Sequence, residues 1–185
     1  MKKMTSLTIL CSLLFNVLLP ATSIAQSLST EEIKQQMVKD WERAKAYTVD
    51  YLNTMPADKY NFKAVDSIRS FAQQMLHLSQ AGIHLMSTAT DQKGPLFAQS
   101  DLEHSKTAQK KDSVMYYVMA SYDFCINAVK NSDVTKWAEK KKVFGFEATR
   151  FAFMNKAFEH QTHHRGQTTI YIRLQGIRPP EERLF

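Results

Sequence analysis

The chain has 185 residues and a formal net charge of +6, from 24 basic and 18 acidic side chains. That length suits one ordinary domain whose core is large enough to fold without disulfides or a structural metal. Two cysteines exclude a disulfide-dense scaffold, and the densest basic run, Lys140-Lys141-Lys142, has no interleaved aromatics, so it reads as a solvated helix end rather than a nucleic-acid contact.

Lys2 and Lys3 precede an apolar run from Leu7 to Leu19, and small residues follow at Ser23-Ile24-Ala25. This is the layout of a signal peptide. A membrane span needs about 20 apolar residues, and here Cys11, Ser12, Asn16 and Pro20 interrupt the run. The expectation is a signal peptide over 1–25, a domain over 26–185, a periplasmic location and no stable membrane anchor. Processing would leave 22 basic against 18 acidic residues, a charge of +4. Cys125 is then the sole cysteine. It falls in the stripe Met115, Val118, Tyr122, Cys125 and Val129 and reads as a small buried hydrophobe.

Four helical segments follow. The first opens on a capping box, Ser29 with Glu32, carries Ile33, Met37, Trp41, Ala44, Tyr51 and Met55 at helical spacing, and stops at Pro56. The second is expected to be capped at Asp66 or Ser67, with Ile68, Phe71, Met75, Leu78, Gly82 and Met86 as its core stripe and Gly94-Pro95 in the loop beyond. The third spans about Thr107 to Lys130, and Asn131-Ser132-Asp133 separates it from a short segment around Trp137. Periodicity leaves Val143 to Glu147 ambiguous. The fourth runs from about Ala148 to Gln175, where Gly176 fits a C-terminal cap and Pro179-Pro180 forbids continuation. Together these predict an all-α fold, an antiparallel four-helix bundle with any site in its interior.

The fourth segment holds His160, His163, His164, Arg165 and Gln167. At about 100° per residue, His160 and His164 share a direction with Phe153, Ala157, Gln167 and Tyr171, while His163 turns towards Lys156 and Glu159. Imidazoles at i and i+4 suit one shared metal ion; the alternative is a polar pair bonded across the bundle. Gln161 stands where a zincin has its glutamate, which removes the general base of that peptidase chemistry. A third ligand has to come from another helix. The second offers His77 and His84, yet both align with Gln73, Gln74 and Gln80, nearly opposite Met75, which by pattern is the surface unless that polar line edges a cavity. His104, between Glu103 and Lys106, reads as surface. Gly166 inside a helix costs about 1 kcal/mol relative to alanine, and close helix approach is a physical reason for it.

The run Glu159-His160-Gln161-Thr162-His163-His164-Arg165-Gly166-Gln167, followed by Tyr171-Ile172-Arg173-Leu174-Gln175-Gly176-Ile177-Arg178-Pro179-Pro180, resembles the C-terminal signature of the DinB/YfiT-like family. Phe71 to Leu78, with His77 inside it, resembles that family's second helix, and Trp41 and Tyr51 suit its first. The resemblance implies a four-helix bundle in which His77, His160 and His164 hold zinc, nickel or a similar divalent ion, often in homodimers. It also implies a metal-dependent enzyme using a low-molecular-weight thiol, as in relatives that act with bacillithiol or mycothiol. The export signal departs from those cytoplasmic relatives.

Three neutral imidazoles leave an ion its full charge and an open position, which supports thiol transfer to a small-molecule substrate or hydrolysis. Gln167 and Tyr171 would then contact substrate or water at a cavity beside the ion, and Arg165 would hold an anionic group or pair with a carboxylate. A non-catalytic metal-binding or sensing module would instead close the shell with His84, His163 or Glu159. Export predicts that the protein isolated from its cells begins at Gln26. An intact-mass measurement that finds Met1 retained would refute the processing.

Overall fold

The computed structural model describes residues 27–143 and 145–185, so the signal-peptide expectation lies outside the described residues. Four helices carry the fold: α1 (Thr30–Thr54), α2 (Phe71–Thr90), α3 (Lys111–Lys130) and α4 (Arg150–Arg173). A two-stranded hairpin, β1 (Lys140–Val143) with β2 (Phe146–Thr149), precedes α4. No described helix is long and apolar enough to cross a membrane.

α1 begins at the anticipated capping box, where Ser29 Oγ accepts from the Glu32 amide at 3.2 Å and Glu32 Oε2 takes the Ser29 amide at 2.7 Å. After Pro56 the chain doubles back, and the Tyr60 hydroxyl donates to the Leu52 carbonyl at 2.6 Å while its ring packs edge-on against Phe71, 5.1 Å between centroids. This turn shifts the start of α2. The cap is Ser70 in a second capping box with Gln73, not Asp66 or Ser67, because the Phe71 and Ala72 amides are taken by the Phe62 and Tyr60 carbonyls at 3.1 and 2.8 Å. The chain before Ser70 is therefore occupied in holding the turn.

α2 ends at Asp91, which adopts a left-handed conformation at φ 59°. Its carboxylate meets Lys141 and Arg150, both at 2.7 Å. Arg150 is buried at the first position of α4 and also reaches Glu139 at 2.9 Å and the Ala89 carbonyl at 3.0 Å. One guanidinium thus joins the end of α2, the hairpin and the start of α4. Lys140-Lys141-Lys142 is strand β1 and not a helix end: Gly145, at φ 84°, permits the turn, and Val143 pairs with Phe146. Within the ambiguous Val143–Glu147 segment, Val143, Phe146 and Glu147 are thus strand residues. α3 begins at Lys111 rather than Thr107, since the preceding residues form turns.

α2 packs against α3 and α4, and α1 packs against the same two. The core includes Trp41, Leu52, Phe71, Met75, Met86, Val118, Tyr122, Met154 and Ile172, all buried. Burying each such side chain is worth roughly 1.5–3 kcal/mol. Trp41 meets Tyr122 of α3 and Phe158 of α4 edge-on at 5.7 and 5.3 Å, binding three helices at one point. Cys125 is buried beside Gly82, and burial pushes its thiol pKa up, as a core residue requires.

Gly166 does not mark a close helix approach. It is exposed in the middle of α4, and a Cβ there would meet nothing within 4 Å. Gly166→Ala should therefore stabilise the protein by about 1 kcal/mol through helix propensity alone, read as a raised urea midpoint at unchanged slope. A lowered midpoint would mean that α4 is covered on this side.

Candidate metal centre

The facing surfaces of α2 and α4 bring His77, His160 and His164 together. Ring centroids are 5.2 Å apart for His77 and His160, 4.6 Å for His77 and His164, and 4.4 Å for His160 and His164. One ligand nitrogen from each lies within 4.8 Å of the other two, a group able to hold a metal ion. Periodicity put His77 on the surface. It is half-buried instead, because the connection between α2 and α3 covers the polar line of α2. Gln73 donates to the Glu103 carbonyl at 3.0 Å, His77 meets the Glu103 carboxylate, and Gln80 donates to the Ala98 and Ser100 carbonyls at 3.0 and 2.6 Å.

The imidazoles differ in their support. Nδ1 of His77 lies 2.7 Å from Glu103 Oε1, whose partner oxygen takes Arg69 Nε at 2.6 Å. Nδ1 of His164 lies 2.7 Å from Gln74 Oε1. A histidine that donates from Nδ1 keeps a lone pair on Nε2 for a metal. His160 Nε2 is buried and has no hydrogen-bond partner among the described residues. An unpartnered buried nitrogen costs about 1–3 kcal/mol, and a metal between the rings would satisfy it, so these donors fit a divalent ion.

Electrostatics agree with that fit. Burial, reinforced by the neighbouring histidines, lowers the pKa of His160 and lowers that of His164 to about 3, so both are neutral at pH 7. Glu103 is half-buried, which raises its pKa, but hydrogen bonds from Arg69 and His77 outweigh burial and hold it below the usual range.

The other histidines stay apart. His163 is exposed and bonds Gln167 at 2.8 Å, His104 is exposed and bonds Asp101 at 2.8 Å, and His84 is exposed outside the group. Glu159 pairs with Lys156 at 2.5 Å. Among the described residues Arg165 pairs with no carboxylate. It is buried on the opposite side of α4, donating to Gln161 Oε1 at 2.9 Å and lying 4.6 Å over the Tyr47 ring. Gln161 is buried with it and accepts from Tyr122 at 2.7 Å, so the zincin base position looks into the core. Tyr171 is buried and bonded to the Arg69 carbonyl at 2.6 Å. Gln167 borders a cavity of about 550 Å³ whose lining includes Lys63, Arg69, Gln74 and Glu103 but not the three imidazoles. Gln74 and Glu103 escaped the sequence reading as parts of the site. The available signal was a polar line on α2 beside a connection of about twenty residues long enough to roof it.

The DinB family profile matches residues 26–183. The chain belongs to the DinB family. Among solved structures, this DinB-family protein is similar to a DinB-like protein from Bacillus cereus, at 16% identity and a TM-score of 0.66, covering 80% of this chain and 96% of that one. It is also similar to a DinB-like protein from Bacillus subtilis, at 16% identity and a TM-score of 0.57, covering 81% and 96%. These likenesses concern the fold alone. A search of the curated proteins finds no match.

The depressed His164 value has a consequence for the metal-free DinB-family protein. Its unfolded chain takes up a proton near pH 6.5, whereas the folded one refuses it down to about pH 3. Stability linked to His164 is therefore complete above pH 6.5 and lost as pH falls towards 3. Urea midpoints of chelator-treated protein between pH 7.5 and 4 should fall more steeply for the wild type than for His164→Ala. Parallel curves would mean that His164 titrates as it does in water.

Proposed function

We propose that this protein is an exported, divalent-metal-dependent DinB-family enzyme acting on a small molecule, by transfer of a low-molecular-weight thiol or by hydrolysis. The observation that carries this reading is the convergence of three imidazoles of which one, His160, has a buried nitrogen without a partner among the described residues. His77, His160 and His164 would hold the ion, zinc or nickel. When bound, such an ion lowers the pKa of a water or thiol at its open position and neutralises developing negative charge.

The chain's own groups support a role beyond storage. Burial keeps His160 and His164 neutral, the state in which imidazoles ligate. Glu103 and Gln74 fix two of the rings from behind, at Nδ1. Gln167, at the wall of the neighbouring cavity and bonded to His163, would contact substrate. A non-catalytic module would close the shell with a fourth protein ligand. Its candidates are placed elsewhere: Glu159 on Lys156, His163 on Gln167 and His84 outside the group. Periplasmic location and a homodimer belong to the same proposal. The first rests on the charged, apolar and small-residue order of 1–25, the second on the family resemblance.

The test begins with metal content. Mature protein dialysed against zinc and nickel should retain one ion per chain, and His164→Ala should lose it while keeping its helical circular dichroism. The loaded wild type should then turn over an electrophile with a small thiol, or a small ester or amide. Wild-type protein that retains no ion would end the metal reading, and one that retains an ion but is inert in both assays would favour the non-catalytic module.

A further inference from the structure

The proton positions of the two supported histidines can be derived from the hydrogen bonds behind them. Tyr171 has one proton, and its hydroxyl donates it to the Arg69 carbonyl at 2.6 Å. Its oxygen can then only accept from Gln74, 3.4 Å away, so the Gln74 amide turns its NH2 towards Tyr171. Gln74 Oε1 must accordingly face His164, and an amide oxygen only accepts. His164 therefore carries its proton on Nδ1, 2.7 Å from that oxygen, and its Nε2 is left as a bare lone pair. All three residues are buried.

A second chain leads from the same residue to His77. The Arg69 side chain donates from Nε to Glu103 Oε2 at 2.6 Å, and the other carboxylate oxygen faces His77 Nδ1 at 2.7 Å. An arginine-paired carboxylate is ionised and offers no proton, so His77 also donates from Nδ1. Glu103 is held at its backbone as well, since its carbonyl accepts from Gln73 at 3.0 Å and Gln109 at 2.6 Å. A carboxylate in a chain turn is thereby fixed at both ends.

We propose that Arg69 is the common anchor of the site, its carbonyl setting His164 through Tyr171 and Gln74 and its guanidinium setting His77 through Glu103. Tyr171, Gln74 and Glu103 are positioning residues that hold both rings in the Nδ1–H tautomer. Tyr171 is thereby reassigned from substrate contact to proton bookkeeping at a distance. The consequence for metal affinity rests on the metal reading above, but the tautomers do not.

The experiment is long-range proton–nitrogen correlation of the histidine rings in metal-free, full mature protein, followed by zinc titration against a chelator. His77 and His164 should both show a protonated Nδ1 and a bare Nε2. Tyr171→Phe frees the Gln74 amide to rotate, so His164 should become a mixture of tautomers, and zinc affinity should fall roughly 10–100-fold. The double variant Tyr171→Phe with Gln74→Glu should restore both readouts, because a carboxylate cannot present a donor to His164. Restoration by a second substitution is not what a packing role for Tyr171 would give. Glu103→Leu should act on His77 alone, which keeps the test available if Tyr171→Phe does not fold. A wild-type His164 protonated on Nε2, a Tyr171→Phe variant with unchanged tautomer, or a folded double variant that stays mixed would overturn the proposal. Wild-type protein with the expected tautomers but no zinc uptake would instead refute the metal reading and leave the anchor standing.

Discussion

The rotational setting of α4 about its own axis is the constraint on which the site depends. Within one and a half turns the helix carries His160, Gln161, His164 and Arg165, and the pairs alternate between two sides. Gln161 and Arg165 enter the core near α1 and α3, where Tyr122, Thr48 and the Tyr47 ring receive them. Arg165 is a buried cation with no carboxylate partner among the described residues, and its charge is met by Gln161 Oε1, the Ala44 carbonyl, a hydroxyl and an aromatic face. Turning α4 by even one residue would strand that guanidinium in apolar surroundings at a cost of several kcal/mol. The same lock that satisfies Arg165 holds His160 and His164 towards α2.

Given that setting, α2 must supply a polar surface where an interior helix would ordinarily be apolar, and the long connection to α3 makes this tolerable. Gln73, His77 and Gln80 would each need water on a bare helix. Here Glu103, Ala98 and Ser100 take their hydrogen bonds, so the polar line is sheltered without being left unpaired. A loop that would otherwise be a mere linker therefore belongs to the site. Its position is in turn fixed by Arg69, just before the Ser70 cap of α2, so helix start, roof and ligand face form one connected unit.

Much of this is legible in the sequence, for reasons particular to each element. The capping box at Ser29, the His160 and His164 spacing and the Pro179-Pro180 stop are local signals, and they fall where local physics decides. His77 was harder because period alone sorts a helix into core and water, and has no category for a polar face roofed by a loop. Arg165 shows the converse failure. An arginine beside two histidines invites a role on a substrate anion, yet its neighbour in space is Gln161 one turn earlier, and only the packing of α1 reveals that. The hairpin escaped because Lys140-Lys141-Lys142 has neither alternation nor β-branched residues, and its strands are held instead by Asp91, Arg150 and the turn at Gly145.

The energetic balance at the three histidines bears on which chemistry suits them. A buried imidazole that served as a general base would need a pKa near the working pH, and burial has moved His164 to about 3, far from that range. Such a group takes protons poorly at neutral pH. The same displacement favours a metal ligand, because no proton has to be expelled before a cation enters. Glu103 is already occupied by Arg69 and His77 and sits behind the ring rather than among the ligand atoms. A cation held by the three imidazoles would consequently keep its full positive charge, the property that polarises water, thiols and carbonyl groups. Burial thus suits His160 and His164 to ligation rather than to taking up protons at neutral pH.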